Sequence, residues 1–128
     1  MNQVEQLVLR RLAADGTFIA VMYGYFVEGK SPSELADIAG MSRTAVRAKI
    51  QRFRGSLHDV QVKHLLTKVL PHVNGISPII LKLNGKHYCL LCERVVPNPI
   101  THIRSKHRDI LQKLTQHVIS KARNGGKP

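Results

Sequence analysis

The chain has 128 residues, 20 Lys and Arg against 8 Asp and Glu, a formal net charge of +12 and a pI near 10.3. That length makes one domain or two small ones, and that charge draws a chain toward polyanions, either nucleic acid or an acidic membrane face. The membrane alternative is disfavoured: there is no apolar run of about 18 residues, no signal peptide and no cationic helix with a bulky Trp/Phe face, so an intracellular protein is expected. The basic residues are clustered. One zone holds Lys30, Arg43, Arg47, Lys49, Arg52 and Arg54, and a second holds Arg104, Lys106, Arg108, Lys113, Lys121, Arg123 and Lys127, with only Asp109 opposing it. Two such zones predict two contacts with a phosphate backbone.

The first half reads as helices. Val4, Leu7, Val8 and Leu12 recur at helical spacing, with Asp15-Gly16 as the stop. Thr17 is then the expected N-cap of a second helix whose stripe, Phe18, Val21, Met22, Tyr25 and Phe26, belongs to the core, and Gly29 ends it. In Ser31-Pro32-Ser33-Glu34 the serine hydroxyl accepts from an orphan amide, the proline suits a first helical turn and the glutamate completes a capping box. A short helix over 35–39 follows and stops at Gly40. Ser42 caps the next helix, which reaches about Arg54. Val46, Ile50, Phe53 and Leu57 form its buried edge and leave Arg43, Arg47, Gln51 and Arg54 on the opposite face.

A short helix, a glycine turn and a longer basic helix make a helix-turn-helix. Residues 18–57 resemble the region 4 helix-turn-helix of sigma factors and related bacterial or archaeal regulators, through Tyr25-Phe26-Val27-Glu28-Gly29, Ser33-Glu34-Leu35-Ala36-Asp37-Ile38-Ala39-Gly40 and Met41-Ser42-Arg43-Thr44-Ala45-Val46-Arg47. The resemblance implies that Ala36 lets the two helices approach, Gly40 takes the turn and Val46 locks the second helix to the core. It further implies that Ser42, Arg43, Thr44 and Arg47 stand at the mouth of the DNA major groove, while Arg52 and Arg54 meet phosphates.

Residues 58–72 continue as a helix with Val62, Leu65, Leu66, Val69 and Leu70 apolar, a brace between two modules. His58, His64 and His72 do not stack on one helix face and are surface or packing residues. Pro71 and Asn74-Gly75 end the brace and mark a boundary between a helical domain, residues 1–74, and a second module, residues 75–122.

In that module the periodicity changes to that of strands. Ile79-Ile80-Leu81-Lys82-Leu83 predicts a strand, Asn84-Gly85 a tight hairpin turn, and residues 86–90 the return strand. The return strand delivers Cys89 and Cys92, the chain's two cysteines, on one tight turn, and His102 and His107 follow on a long helix starting at Ile100 or Thr101. Two thiolates and two imidazoles so spaced suit one tetrahedral Zn2+. A disulfide across a two-residue gap is geometrically tight. His87 and His117 are weaker substitutes for a histidine ligand.

Strand, strand and helix with two Cys and two His resemble the ββα zinc fingers, through Tyr88, the Cys89-Leu90-Leu91-Cys92 turn and the run from Thr101 to His107. Nine residues separate Cys92 from His102 where such fingers have about twelve. The positions that would touch bases therefore fall in Val95-Val96-Pro97-Asn98-Pro99, where two prolines delay a helix. This finger is accordingly expected to be a structural staple, presenting Arg104, Lys106 and Arg108 to phosphates or pairing with a second copy. Ile103, Ile110, Leu111, Leu114 and Val118 give its helix an apolar stripe for the N-terminal helices or for a partner subunit. The basic tail, 123–128, reads as disordered.

The expected fold is mainly α (α+β), a helix-turn-helix bundle followed by a β-hairpin and long helix around zinc. The expected function is a transcriptional regulator that binds double-stranded DNA through residues 42–54. A homodimer would suit a palindromic operator. The alternatives are an adaptor that binds RNA polymerase or another regulator, a non-specific architectural protein and, less favoured, a zinc-stapled nuclease. Against an enzyme stand the lack of a paired-carboxylate motif, of a Gly-rich phosphate loop and of a Ser-His-Asp order. So small a regulator would suit a virus, a mobile element or an archaeal genome.

Overall fold

A computed structural model describes residues 1–124, and in them a helical bundle carries one small sheet. The elements run α1 (Gln3–Leu12), α2 (Gly16–Phe26), α3 (Pro32–Ala39), α4 (Arg43–Arg54), α5 (Asp59–Val73), β1 (Ile80–Leu83), β2 (Lys86–Cys89), β3 (Arg94–Val96), α6 (Pro99–Lys106) and α7 (Arg108–Arg123). The mainly α character with a minor β part is as expected. The last residues of the basic tail, 125–128, lie outside the described residues, and Arg123 is the final residue of α7.

Local chemistry explains most boundaries. The Asn2 side chain caps α1 by accepting from the Glu5 amide at 2.7 Å. α2 is capped by Asp15, not Thr17: its carboxylate accepts from the Phe18 amide at 3.2 Å. An ionised carboxylate suits a helix N-terminus better than a hydroxyl, and Arg10 holds it with a 2.9 Å ion pair while lying over the Phe18 ring. Ser31 and Glu34 form the full capping box of α3, Gly40 turns the chain at φ +66, and Ser42 caps α4 through the Ala45 amide. The left-handed turn suits a residue without a Cβ.

α4 turns Val46, Ile50 and Phe53 inward, and Phe53 meets Phe18 and Phe26 in the core. α2 packs on α3 with Gly24 against the side chain of Leu35. A Cβ at residue 24 would stand 2.7 Å from Cδ2 of the buried Leu35. Gly24→Ala would gain up to about 1 kcal/mol of helix propensity, but overpacking a tight core costs about 1–3 kcal/mol. The expected net result is a destabilisation of about 1 kcal/mol, seen as a lower urea midpoint at unchanged m-value.

α5 runs from Asp59 through Pro71 to Val73, one residue past the expected end at residue 72. Pro71 has no N–H to offer the carbonyl four residues before it, so the helix forgoes that bond there. Arg11 then fastens the connection, donating from Nε to the Ile76 carbonyl at 2.7 Å and from Nη2 to the Asn74 carbonyl at 3.0 Å. The Ile79 amide donates to the Leu12 carbonyl, so β1 begins against the end of α1.

The sheet is antiparallel in the order β1-β2-β3. Asn84 and Gly85 both take positive φ, +51 and +76, as a two-residue hairpin turn of the primed type requires. β3 is an addition to the expected hairpin, pairing His87 with Val96 and Cys89 with Arg94. Asn98 caps α6 and Pro99 occupies its first turn, so the helix starts ahead of the expected Ile100 or Thr101.

The expected single long helix is two. His107, at φ −124 and ψ 33, ends α6 and precedes α7. α7 then lays Leu111, Thr115 and Val118 against α1 and α5, which accounts for its apolar stripe within one chain. One continuous apolar core runs from Leu7, Val8 and Leu12 through Phe53 and Leu66 to Ile103, Leu111 and Val118.

Candidate metal centre and basic faces

The tightest cluster of polar side chains forms where β2 runs into the turn toward β3. Cys89 is the buried last residue of β2, and Cys92 is half-buried three residues on. The turn is closed by the Glu93 amide on the Cys89 carbonyl at 2.8 Å, and the Cys92 amide points at Cys89 Sγ at 3.4 Å. Glu93 takes φ +56, a left-handed conformation more natural to glycine. α6 brings His102 from its first half, and the break after it brings His107.

The four donor atoms lie within 4.8 Å of one another. Cys89 Sγ is 3.5 Å from His107 Nε2, Cys92 Sγ is 3.4 Å from His102 Nε2 and 3.3 Å from His107 Nε2, and the two imidazole Nε2 atoms are 3.2 Å apart. Zinc bonds of about 2.3 Å to sulfur and about 2.0–2.1 Å to nitrogen, at tetrahedral angles, require nitrogen–nitrogen edges of about 3.3 Å and sulfur–nitrogen edges of about 3.6 Å. The cluster therefore fits a single tetrahedral ion of zinc's size. His87 and His117 stand outside the cluster.

The environment sets the donors' protonation. Burial, together with the neighbouring Cys89, pushes the Cys92 thiol above its ordinary range, against the opposing charges of Arg94 and Lys106. Burial, with His107, Arg94 and Lys106 close by, holds His102 below the ordinary imidazole range. Without a metal the site favours a neutral thiol and a neutral imidazole.

The second constellation is α4. Ser42, Arg43, Thr44, Arg47, Gln51 and Arg52 are all exposed. Arg43 donates to the Ser33 hydroxyl at 3.4 Å and Arg52 to the Ala48 carbonyl at 3.3 Å. Among the described residues the ion pairs are Arg10–Asp15, Lys30–Glu28 and Arg54–Asp59, so no carboxylate neutralises Arg43, Arg47 or Arg52. Arg54 differs: it is half-buried and bonded to Asp59 at the start of α5.

Arg104 and Lys106 are exposed on α6, and Arg108 is exposed at the start of α7. One feature of this surface was invisible in the sequence. The Gln3 side chain in α1 donates to the carbonyls of Phe53 and Arg54 at 3.1 and 3.2 Å, tying the first turn of α1 to the end of α4. The same turn, through Met1 and Glu5, lines a 440 Å³ pocket with Thr101, Arg104, Ser105 and Arg108. The start of α1 thus lies between the end of the α4 basic face and the α6–α7 basic residues. No signal for this exists in a lone glutamine.

No helix of the described residues is long and apolar enough to cross a membrane. No protein-family model, curated protein or solved structure matched the chain.

Proposed function

We propose that this protein is a zinc-stapled regulator that binds duplex DNA, with α4 as the recognition helix. The observation that carries this reading is the outward face of α4, where Arg43, Arg47 and Arg52 stand exposed without acidic partners. Ser42, Thr44 and Gln51 add hydrogen-bonding groups to the same exposed surface. An arginine gives guanine O6 and N7 two parallel donors, and its charge releases counterions from phosphates. The αL turn at Gly40 between α3 and α4, and the formal charge of +12, support the same assignment. Arg104, Lys106 and Arg108 would add backbone contacts, and the first turn of α1 between the two basic zones supports their gripping one duplex together.

The test is a titration of labelled duplex DNA with zinc-loaded protein at two salt concentrations, with a random competitor duplex. Binding that weakens steeply with salt and survives competition for selected sequences supports a sequence-reading regulator. Salt-sensitive binding without preference recasts the protein as architectural, and no binding at low salt rejects the DNA reading.

In this reading Cys89, Cys92, His102 and His107 hold one Zn2+, which supplies fold rather than chemistry. Thiolate ligation releases a proton, so affinity falls about tenfold per pH unit for each proton displaced. The raised Cys92 thiol stays protonated through neutrality, so its proton is released to solvent when the metal binds. The lowered His102 imidazole stays neutral and adds no loss until the pH is below its ordinary range. Competition with a colorimetric chelator should therefore show zinc binding weakened about tenfold or more from pH 7 to pH 6. A pH-independent affinity would rule out thiolate ligation.

A further inference from the structure

Leu114, His117 and Lys121 follow one another along α7 at steps of three and four residues, so they share one face of the helix. That face does not close fully against α5. Where α5 ends and the chain turns toward β1, a cavity of about 680 Å³ lies between these three residues and Pro71, His72 and Ile76. Small-molecule sites are ordinarily about 300–1,000 Å³. The α5 side of the cavity is held in place, because Arg11 donates to the carbonyls of Asn74 and Ile76 and so ties the connection to α1.

Two kinds of surface meet in this cavity. Ile76 is buried and Leu114 half-buried, and with Pro71 they give it an apolar wall. His72, His117 and Lys121 give it nitrogen donors from two elements. An imidazole keeps at least one N–H whatever its protonation, and an ammonium has three. Among the described residues no Asp or Glu lines the cavity, and Lys121 belongs to none of the ion pairs. Such a lining suits an anion that has several acceptor oxygens and is joined to an apolar body. A terminal phosphate brings three oxygens and a charge of about −1.5 to −2, more than a single carboxylate offers. A phosphodiester within a nucleic-acid strand has one charge and a sugar on either side, so it enters a recess less readily. We infer that the cavity between α5 and α7 binds a small phosphomonoester, its phosphate on His72, His117 and Lys121 and its apolar or aromatic body on Pro71, Ile76 and Leu114. Ser77 and Asn124, which also line the cavity, can bond the polar edge of that body. The site shares no residue with the exposed α4 face or with the four metal donors, so it stands whether or not α4 reads DNA.

The test is a titration of adenosine monophosphate into zinc-loaded, isotope-labelled full-length protein. Saturable amide shifts are expected in residues 72–77 and 114–124 and not in α4 or α6. Adenosine and inorganic phosphate each carry one half of the ligand and should bind about tenfold or more weakly. Lys121→Glu is expected to weaken nucleotide binding by about tenfold or more, with zinc content and melting temperature unchanged. Lys113→Glu makes the same change of charge on the same helix outside the cavity, and should weaken it far less. The double variant His72→Ala/His117→Ala should match the loss seen with Lys121→Glu. Equal losses for the Lys121 and Lys113 variants, or shifts spread over every basic surface, would overturn the inference, since net charge alone would account for them. So would the absence of saturation, or inorganic phosphate binding as tightly as the nucleotide. Duplex DNA that displaces the nucleotide and shifts the same residues would overturn it as well, by giving the cavity to a strand's phosphate.

Discussion

Cys92→Ser, or chelation of the metal, is expected to melt the sheet and α6 while leaving α1 to α5 folded. The reason is that the sheet has little else to hold it. Of residues 80–96 only Ile80, Cys89 and Val96 are buried among the apolar side chains. Three buried side chains contribute about 1.5–3 kcal/mol each. Ordering that many backbone residues costs on the order of 1–2 kcal/mol apiece, so burial alone falls well short. Structural zinc in small fingers contributes about 10–16 kcal/mol, enough to decide the outcome. The helical part does not share this dependence. Its core includes Leu7, Leu12, Met22, Leu35, Phe53 and Leu66, all nearly or wholly removed from water, and α7 adds Leu111 and Val118 to it.

In an amide correlation spectrum, resonances of residues 80–107 should collapse on chelation and those of α1 to α5 should stay dispersed. Far-UV circular dichroism should lose only part of its helical signal. Unchanged spectra would mean that the four side chains hold no structural ion. Collapse of every resonance would mean that the helices cannot stand without the sheet.

Sequence and structure agree where one side chain's chemistry decides the local outcome. Ser31 with Glu34 and Ser42 satisfy orphan amides, and Asn84-Gly85 accepts two positive φ values, so these boundaries could be read directly. The four metal donors were legible from spacing alone. What escaped depends on distant partners. β3 is three residues long with only Val96 buried, and its existence follows from pairing with β2 rather than from its own pattern. The break at His107 has a geometric cause that residue counting missed. Five residues along a straight helix place side chains about 140° apart, too far around the axis for both imidazoles to reach one ion. Leaving helical geometry at His107 brings the two Nε2 atoms to 3.2 Å. Gly24 likewise acquires its role only from Leu35 on the neighbouring helix.

Arg47→Ala is expected to lower affinity for the preferred duplex by about 1–3 kcal/mol, roughly 5- to 150-fold, and to affect random duplex far less. Arg47 is exposed on α4 with no carboxylate partner, so its loss should leave the melting temperature unchanged. Arg54 and Arg123 supply the contrasts. Arg54 is half-buried and bonded to Asp59, so its alanine variant should lose some stability, no more than about 1 kcal/mol for a part-exposed pair, and little sequence preference. Arg123, exposed at the end of α7, can contribute only charge, and its alanine variant should weaken all duplexes alike and flatten the salt dependence by at most about one phosphate contact. The three variants thus separate base reading, structural pairing and general attraction in one set of titrations. If Arg47→Ala and Arg123→Ala lower affinity equally on every sequence, α4 attracts DNA without reading it. The basic face would then serve an architectural protein, because discrimination between bases requires that an arginine's loss be felt unequally across sequences.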